Sequence, residues 1–178
     1  MSSKDAEPHD SALAKRAKFI GQMRRVPGPV AIIASQMGTV RTGLAATAWT
    51  SLSADPPMLL VCVNRSASAH KVIGDAQAFS INLLASDELE TVAIFSAQRG
   101  LEGDARFIEG QWATGPRNQP ILNNAVVTFE CTLIDSHDFG THTIFIGEVD
   151  EMDGTGQDNP LLYFNGSFAA LESVAAYS

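Results

Sequence analysis

Residues 43–71 bring three unlike kinds of sequence together. Small and hydroxyl side chains fill the stretch Gly43–Ser53, and Asp55-Pro56-Pro57 then interrupts the chain. An apolar strand over Met58–Val63 follows, and it ends in a polar loop over Asn64–His70. Small residues let a backbone approach a flat ligand closely, while hydroxyls and backbone N–H groups hold the polar edge of that ligand. A hydroxyl-rich loop beside basic side chains is suited to a phosphate. The segment therefore predicts half of a nucleotide or flavin site.

The rest of the chain alternates many short strands with few helices. Turn signals separate the apolar runs, a pattern typical of an all-β sandwich or barrel with peripheral helices. Apolar spacing predicts helices over Ser11–Met23, Ala69–Asp75 and Ser86–Ala97, with Ser11 as the N-cap of the first. The predicted strands are Val30–Ser35, Val40–Thr50, Met58–Asn64, Ala78–Leu84, Ala125–Ser136, Thr141–Asp150, Leu161–Phe164 and Ser167–Leu171, of which the last two are expected to close the sheet.

The 178 residues fit a single domain with an ample core. We expect a polar N-terminal tail and short helix over residues 1–23, followed by one domain over 24–178. The N-terminus has no apolar core region and is not a signal peptide, and no apolar run is long enough to span a bilayer. Cys62 and Cys131 lie in apolar runs without a CxxC pair or a Cys/His cluster, which predicts buried thiols and no metal site. We therefore expect a cytoplasmic protein.

Charge is distributed unevenly along the chain. The net charge is −8, yet residues 1–25 hold six of the twelve basic residues and three of the twenty acidic ones, which leaves −11 on the remainder. Such a body is unsuited to a general nucleic-acid surface. The cations after residue 25 are Arg41, Arg65, Lys71, Arg99, Arg106 and Arg117, and we interpret Arg99 and Arg117 as solvated surface charges. Asp150, Glu151 and Asp153 are interpreted as a solvated turn.

Later segments extend the pattern of residues 43–71. They are Phe79–Leu84, Arg106-Phe107, the stretch GTHTIFIGEV at residues 140–149, and Pro160–Tyr163. In order and spacing, these segments resemble the flavin reductase-like family, the FMN-binding split barrels that supply reduced flavin to two-component monooxygenases. The resemblance covers about residues 24–171. It implies a mainly β fold, an FMN-binding split β-barrel with peripheral helices, and it implies a homodimer with the cofactor site near the subunit interface.

The resemblance also implies which residues hold the cofactors. The isoalloxazine ring is expected at Ala46, Thr47, Ala48, Ser51 and Ser53, the flavin phosphate at Asn64, Ser66, Ser68 and Lys71, with Arg106 near the phosphate end, and NADH at His142. Hydride transfer is the cofactors' own chemistry, so no residue is assigned as a catalytic acid or base.

Several of these residues also have a structural interpretation. Ser68 could cap the N-terminus of the following helix, and Arg106 could form an ion pair with Asp104 or Glu109. Trp49 either stacks near the cofactor or covers the core. Thr141 stands where the family has an aspartate before the histidine. Trp112 and Phe139 are interpreted as packing residues, and Phe139 is also placed to flank the nicotinamide.

Two main hypotheses of function follow. The first is an NAD(P)H:flavin oxidoreductase that reduces FMN or FAD by hydride transfer and supplies the reduced flavin to a separate monooxygenase component. The scarcity of cations favours NADH over NADPH, whose extra phosphate needs one. The alternative is a non-catalytic flavin-binding module for electron transfer or sensing. A pyridoxamine phosphate oxidase-like enzyme is less favoured, because it needs a more basic phosphate pocket. No nucleic-acid or membrane partner is expected.

Overall fold

A computed structural model describes residues 8–156 and 159–172 of the chain. Its helices are α1 (Pro8–Met23), α2 (Ser68–Ala76) and α3 (Leu89–Phe95), with a 3-10 turn at Gly103–Arg106. Its strands are β1 (Gly28–Pro29), β2 (Ala31–Met37), β3 (Val40–Ala46), β4 (Trp49–Ala54), β5 (Pro57–Asn64), β6 (Ala78–Leu83), β7 (Trp112–Thr114), β8 (Pro120–Leu122), β9 (Val127–Phe139), β10 (His142–Gly154), β11 (Leu162–Phe164) and β12 (Ser167–Ala169). The mainly β fold class predicted from the strand pattern is confirmed.

Seven strands form one antiparallel sheet in the order β3-β2-β6-β9-β10-β5-β4. The edge strands β3 and β4 follow each other in the chain with only Thr47 and Ala48 between them. In a flat sheet of seven strands the two edges would lie about 29 Å apart, since neighbouring strands are about 4.8 Å apart. The link from Ala46 to Trp49 reaches only about 11 Å. The sheet must therefore curl into a barrel that stays open between its two edges, and we call this opening the seam.

Strand β2 is buried on both of its faces and separates two apolar clusters. Ala31 and Ile33 face one cluster, which also contains Val61, Phe79 and residues of α2. Ile32 and Ala34 face the other, which contains residues of α3 and of the 101–125 segment. One face of β2 thus points into the barrel, where α2 contributes to the interior cluster, and its other face is covered from outside by α3 and the 101–125 segment.

The outer face of the β5–β10 pair has less cover. Leu60 lies opposite Ile146 and Cys62 opposite Ile144, and all four are only partly buried. Helix α1 does not pack over this face as a buried element, because each of its described residues from Ser11 to Met23 is exposed. Among the described residues, no helix is long and apolar enough to cross a membrane.

Five sequence predictions of secondary structure are corrected. The first helix begins at Pro8, so Ser11 is a helical residue and not the N-cap. The strand expected over Val40–Thr50 is two strands, since β3 pairs with β2 while β4 pairs with β5 on the other side of the barrel. The helix expected over Ser86–Ala97 begins only at Leu89, because Ser86 bonds instead with Asn159. The last two strands do not close the main sheet but form a separate one with β1. Asp150, Glu151 and Asp153 lie within β10, where residues 150–153 are strand rather than turn.

Candidate flavin and nicotinamide site

The closed end of the seam is formed by the link between its two edges. Thr47 and Ala48 are exposed there, next to partly buried Ala46. A cleft of about 570 Å³ lies between this link and the end of α1, with Phe19, Ile20, Met23 and Tyr163 among its lining residues. A second cleft of about 310 Å³ shares Thr47 and Tyr163 and is also lined by Ala46 and Phe168. Clefts of such volume accept small-molecule ligands, and these two adjoin three of the residues expected to hold the flavin ring.

The open end of the seam is crossed by the loop that follows β5. Beyond Val61, β5 has no β4 partner except a bond from the Cys62 N–H to the Ala48 carbonyl. The loop then runs from Asn64 to α2, and the Ser68 hydroxyl lies 3.0 Å from the Thr42 hydroxyl on β3. The free edges of β3 and β5 therefore face each other across the seam, with Ala46–Ala48 at one end and Asn64–Ser68 at the other.

Helix α2 begins at this loop with no side-chain cap on its N-terminus. The N-cap position is Ala67, so the prediction that Ser68 caps the helix is wrong; Ser68 is the first helical residue and turns its hydroxyl to Thr42 instead. Asn64 orders the loop by accepting bonds from the Ser66 N–H and hydroxyl, each at 2.9 Å. Unpaired N–H groups at a helix start, together with nearby hydroxyls, attract an anion. The residues present fit a flavin phosphate.

His142 lies beside this loop rather than apart from it. The sequence places His142 in a separate segment, but the register of β10 on β5 puts it directly opposite Asn64. The exposed ring bonds through Nδ1 to the Thr141 hydroxyl at 2.9 Å. The candidate nicotinamide residue and the candidate phosphate loop thus belong to one site, and strand pairing is the reason.

Arg65 ties the β9–β10 turn to the loop. Its backbone N–H donates to the Thr141 carbonyl at 3.0 Å, and its guanidinium donates to the Gly140 carbonyl at 2.7 Å. The same guanidinium lies 3.5 Å from the Asp138 carboxylate. The hydroxyl of Thr143, followed by the nearby charge of Arg65, lowers the pKa of the Asp138 carboxyl. Asp138 is therefore ionised at neutral pH and acts only as an acceptor.

The two cations expected near the flavin, Lys71 and Arg106, already have protein partners. Lys71 is exposed and forms an ion pair with Asp75 one helical turn away. Arg106 donates to the carbonyls of Leu101 at 2.9 Å and Gly43 at 3.2 Å, whereas Asp104 pairs with Arg41. Within the described part of the chain Arg106 forms no ion pair, so the alternative in which it pairs with Asp104 or Glu109 is wrong.

The remaining predicted residues on β4 lie farther from the loop. Ser53 pairs with Met58, six residues before Asn64 and hence about 20 Å along β5. Its hydroxyl accepts the Asp55 N–H at 3.1 Å, and Ser51 is exposed on the same edge strand. The structure thus brings Ala46–Ala48 to one end of the seam and Asn64–Ser68 to the other, but it places Ser51 and Ser53 outside that interval.

Aromatic residues divide between packing and exposure. Trp49 packs against the barrel interior and donates from Nε1 to the Pro29 carbonyl at 3.2 Å, as its core-covering alternative expects. It also lines the larger of the two clefts beside Thr47 and Ala48, so its alternative of stacking near the cofactor stays a prediction. Trp112 packs against Phe95 and Phe107 as expected. Phe139 is 64% exposed, so the interpretation of Phe139 as a packing residue is wrong.

Two residues of this region carry no signal in the local sequence. Thr42 lies opposite Ser68, and Tyr163 lines both clefts. Each reaches the site from a distant part of the chain, so only knowledge of the strand order places it there. His70 belongs to the polar loop found in the sequence, but its contact with Thr143 follows only from the packing of α2 against β10. For Tyr163, the segment Pro160–Tyr163 matched the family pattern but indicated no role.

Comparisons with known proteins agree with the sequence resemblance. Residues 23–172 match the family described as flavin reductase like domain. The chain is 38% identical over 149 residues to an FMN reductase (NADH) RutF of Agrobacterium fabrum, covering 84% of each protein. It is 34% identical to the reductase component of an FADH2-dependent resorcinol hydroxylase of a Rhizobium species, covering 85% of each. The solved structure of BorF, the flavin reductase component of a bacterial two-component tryptophan halogenase, superposes with a TM-score of 0.82 at 28% identity, covering 89% of this chain and 99% of that one.

The match extends over most of the chain and includes both ends of the seam, the β9–β10 turn and the Pro160–Tyr163 segment. The resemblance read from the sequence is therefore confirmed, and the chain belongs to the flavin reductase-like family.

Proposed function

We propose that this protein, an NADH-dependent flavin reductase, binds FMN along the seam and NADH at the β9–β10 turn. It reduces flavin by hydride transfer and supplies reduced flavin to a separate oxygenase, as its relatives include reductase components of such systems. The observation that best supports the site assignment is the strand pairing of His142 with Asn64 at the open end of the seam. FMN is favoured because the 38% identical relative is an FMN reductase. FAD is the second candidate, because another relative is the reductase component of an FADH2-dependent resorcinol hydroxylase.

The chain's residues have distinct tasks in this proposal. The flavin supplies the hydride acceptor, and the protein has to bind, orient and shield it. The α2 N-terminus with Ser66 and Ser68 holds the phosphate, and the backbone edges at Ala46–Ala48 hold the ring. His142 contacts the nicotinamide side. Anaerobic reduction of bound FMN by NADH tests the proposal, whereas tight flavin binding without reduction would favour the sensing or electron-transfer module instead.

Removing the phosphate contacts should weaken flavin binding. Ser68→Ala and Lys71→Ala are each expected to raise the FMN dissociation constant by at least about tenfold, since a hydrogen bond to a charged group contributes roughly 1.5–3 kcal/mol. For Lys71 this requires the ammonium to leave Asp75 for the phosphate. Isothermal titration with FMN measures the effect, and Arg99→Ala is the control, because Arg99 is an exposed cation paired with Glu90. Equal constants in variants and wild type would place the phosphate elsewhere, at Arg106 or Arg41.

We also propose that the protein is a homodimer. The outer face of the β5–β10 pair exposes part of Leu60, Cys62, Ile144 and Ile146, and Leu52 on the neighbouring strand is 47% exposed. A two-fold partner would bury this face and wall the seam from the other side. The exposed apolar residues of α1, such as Phe19 at 64%, offer a further surface to that partner. In this arrangement residues 1–23 precede a single reductase domain over 24–178.

We also propose a cytoplasmic location, where NADH is available.

Light scattering tests the dimer. We expect a mass about twice 19.0 kDa at micromolar concentration. Ile146→Lys should shift the protein to the monomer, because a charge in a buried interface is costly. Val40→Lys is the matched control on the opposite side of the barrel, where Val40 is 57% exposed. A wild-type mass near 19.0 kDa with full reductase activity would rule the dimer out as a requirement.

A further inference from the structure

A chain of side-chain hydrogen bonds runs beneath the candidate site. His70, on the first turn of α2, places its Nε2 2.7 Å from the hydroxyl of Thr143 on β10. That hydroxyl in turn lies 2.5 Å from the Asp138 carboxylate at the end of β9. Thr143 is 2% exposed, and the His70 ring packs on Phe145 with ring centroids 5.2 Å apart. The centre of the chain at Thr143 is thus buried, whereas its Asp138 end is exposed, and the chain connects the helix of the phosphate site to the turn that carries His142.

The direction of each hydrogen bond in this chain is fixed. A threonine hydroxyl has a single proton to donate. Because Asp138 is ionised and can only accept, Thr143 donates to Asp138. The Thr143 oxygen then accepts from His70, so the proton of the His70 ring sits on Nε2. The chain therefore runs from His70 through Thr143 to Asp138 and selects one tautomer of the histidine.

The chain and Arg65 act on the same turn from two sides. Arg65 holds the turn from the loop, through Gly140, Thr141 and Asp138. His70 holds it from α2, through Thr143, which is the residue next to His142. Within residues 8–156 and 159–172, the side chain of His142 bonds only to Thr141, so its placement depends on how the turn is held.

We propose that His70 is a positioning residue for hydride transfer, which sets the turn bearing His142 in register with the flavin phosphate loop. The inference rests on the proposed function of His142 and of the Asn64–Ser68 loop. Loss of the His70–Thr143 bond leaves each half of the site intact but misaligns the nicotinamide with the flavin. Small misplacements of reacting groups slow a reaction strongly while leaving binding nearly unchanged.

Paired variants test the proposal by stopped-flow reduction of protein-bound FMN at saturating NADH. Thr143→Val keeps the shape and removes the hydroxyl, whereas Thr143→Ser keeps the hydroxyl. His70→Phe keeps a ring on Phe145 and removes the donor, whereas His70→Gln keeps a donor. We expect Thr143→Val and His70→Phe to slow hydride transfer by about fivefold to tenfold, as loss of one hydrogen bond does, with FMN dissociation constants within about twofold of wild type. Thr143→Ser and His70→Gln should recover most of that rate.

Two outcomes would overturn the inference. The first is a hydride-transfer rate in His70→Phe equal to wild type, and the second is an equal loss in the Ser and Val variants of Thr143. A direct measurement of the wild-type protein does not depend on any variant folding: nitrogen NMR should find the His70 proton on Nε2, and a proton on Nδ1 of the neutral ring would contradict the chain. If the wild-type protein itself failed to reduce FMN with NADH, the proposed function would fall and this inference with it, whereas wild-type reduction with unchanged variant rates would overturn this inference alone.

Discussion

Gly147→Ala is expected to destabilise the protein by about 3 kcal/mol, because the buried core has no room for a methyl group there. A Cβ on Gly147 would lie 2.6 Å from Phe79 Cζ and 2.7 Å from Cys131 Cβ, inside the van der Waals limit of both. Phe79 and Cys131 are fully buried on neighbouring strands, so neither can move into solvent. Thermal unfolding should show a fall in Tm of about 10 °C for a chain of this size.

A second glycine provides the control. Gly74 lies within α2, and a Cβ there would meet nothing within 4 Å. Gly74→Ala should stabilise the protein by about 0.5–1 kcal/mol through the helix propensity of alanine. Phe79→Leu in the Gly147→Ala background should recover part of the loss, because the two sites touch and their effects are not additive. A Tm for Gly147→Ala equal to wild type would show that the barrel interior is looser than described.

His142→Ala is expected to slow hydride transfer from NADH about tenfold, equivalent to the loss of one hydrogen bond of about 1.4 kcal/mol, or to weaken NADH binding by that factor. The FMN dissociation constant should stay near wild type even though His142 lies opposite Asn64. The reason is that Asn64 orders its loop through Ser66 and not through His142. Stopped-flow reduction at several NADH concentrations separates the two effects.

His137→Ala is the matched control for His142. His137 lies in the same hairpin, is exposed, and contacts Asp135 rather than the turn. It should leave both hydride transfer and flavin binding unchanged. If flavin loss were the main defect of His142→Ala, the division of the site into phosphate loop and nicotinamide turn would be wrong.

The sequence predicted the elements better than their connections. Local patterns located most strands, but Val40–Thr50 was interpreted as one strand because its small residues continue through Thr47 and Ala48 without a break. Only the pairing of β3 with β2 and of β4 with β5 separates the two strands, and such pairings join residues distant in sequence. The barrel itself followed from the family resemblance, since many short strands are equally compatible with other β architectures.

The candidate site shows the same division. The Asn64–Ser68 loop was predicted because its hydroxyls are contiguous in the chain. The positions of Thr42, of the His70 side chain and of His142 relative to this loop could not be predicted, because they depend on the packing of β3, α2 and β10. Gly43 matches the family pattern, but its glycine has a structural reason rather than a role in binding. A Cβ there would lie 2.9 Å from the Phe95 ring, so core packing requires a glycine.

The measurement that tests the central claim most directly is an anaerobic stopped-flow titration of the protein with bound FMN against NADH. The account predicts loss of the oxidised-flavin absorbance with one NADH consumed per flavin reduced, at a rate far above that of NADH with free FMN. Repeating it with FAD and with NADPH ranks the cofactors, and NADH with FMN should be the fastest pair. Flavin that binds tightly but keeps its oxidised spectrum with both nicotinamide cofactors would contradict the account and identify a flavin-binding module instead.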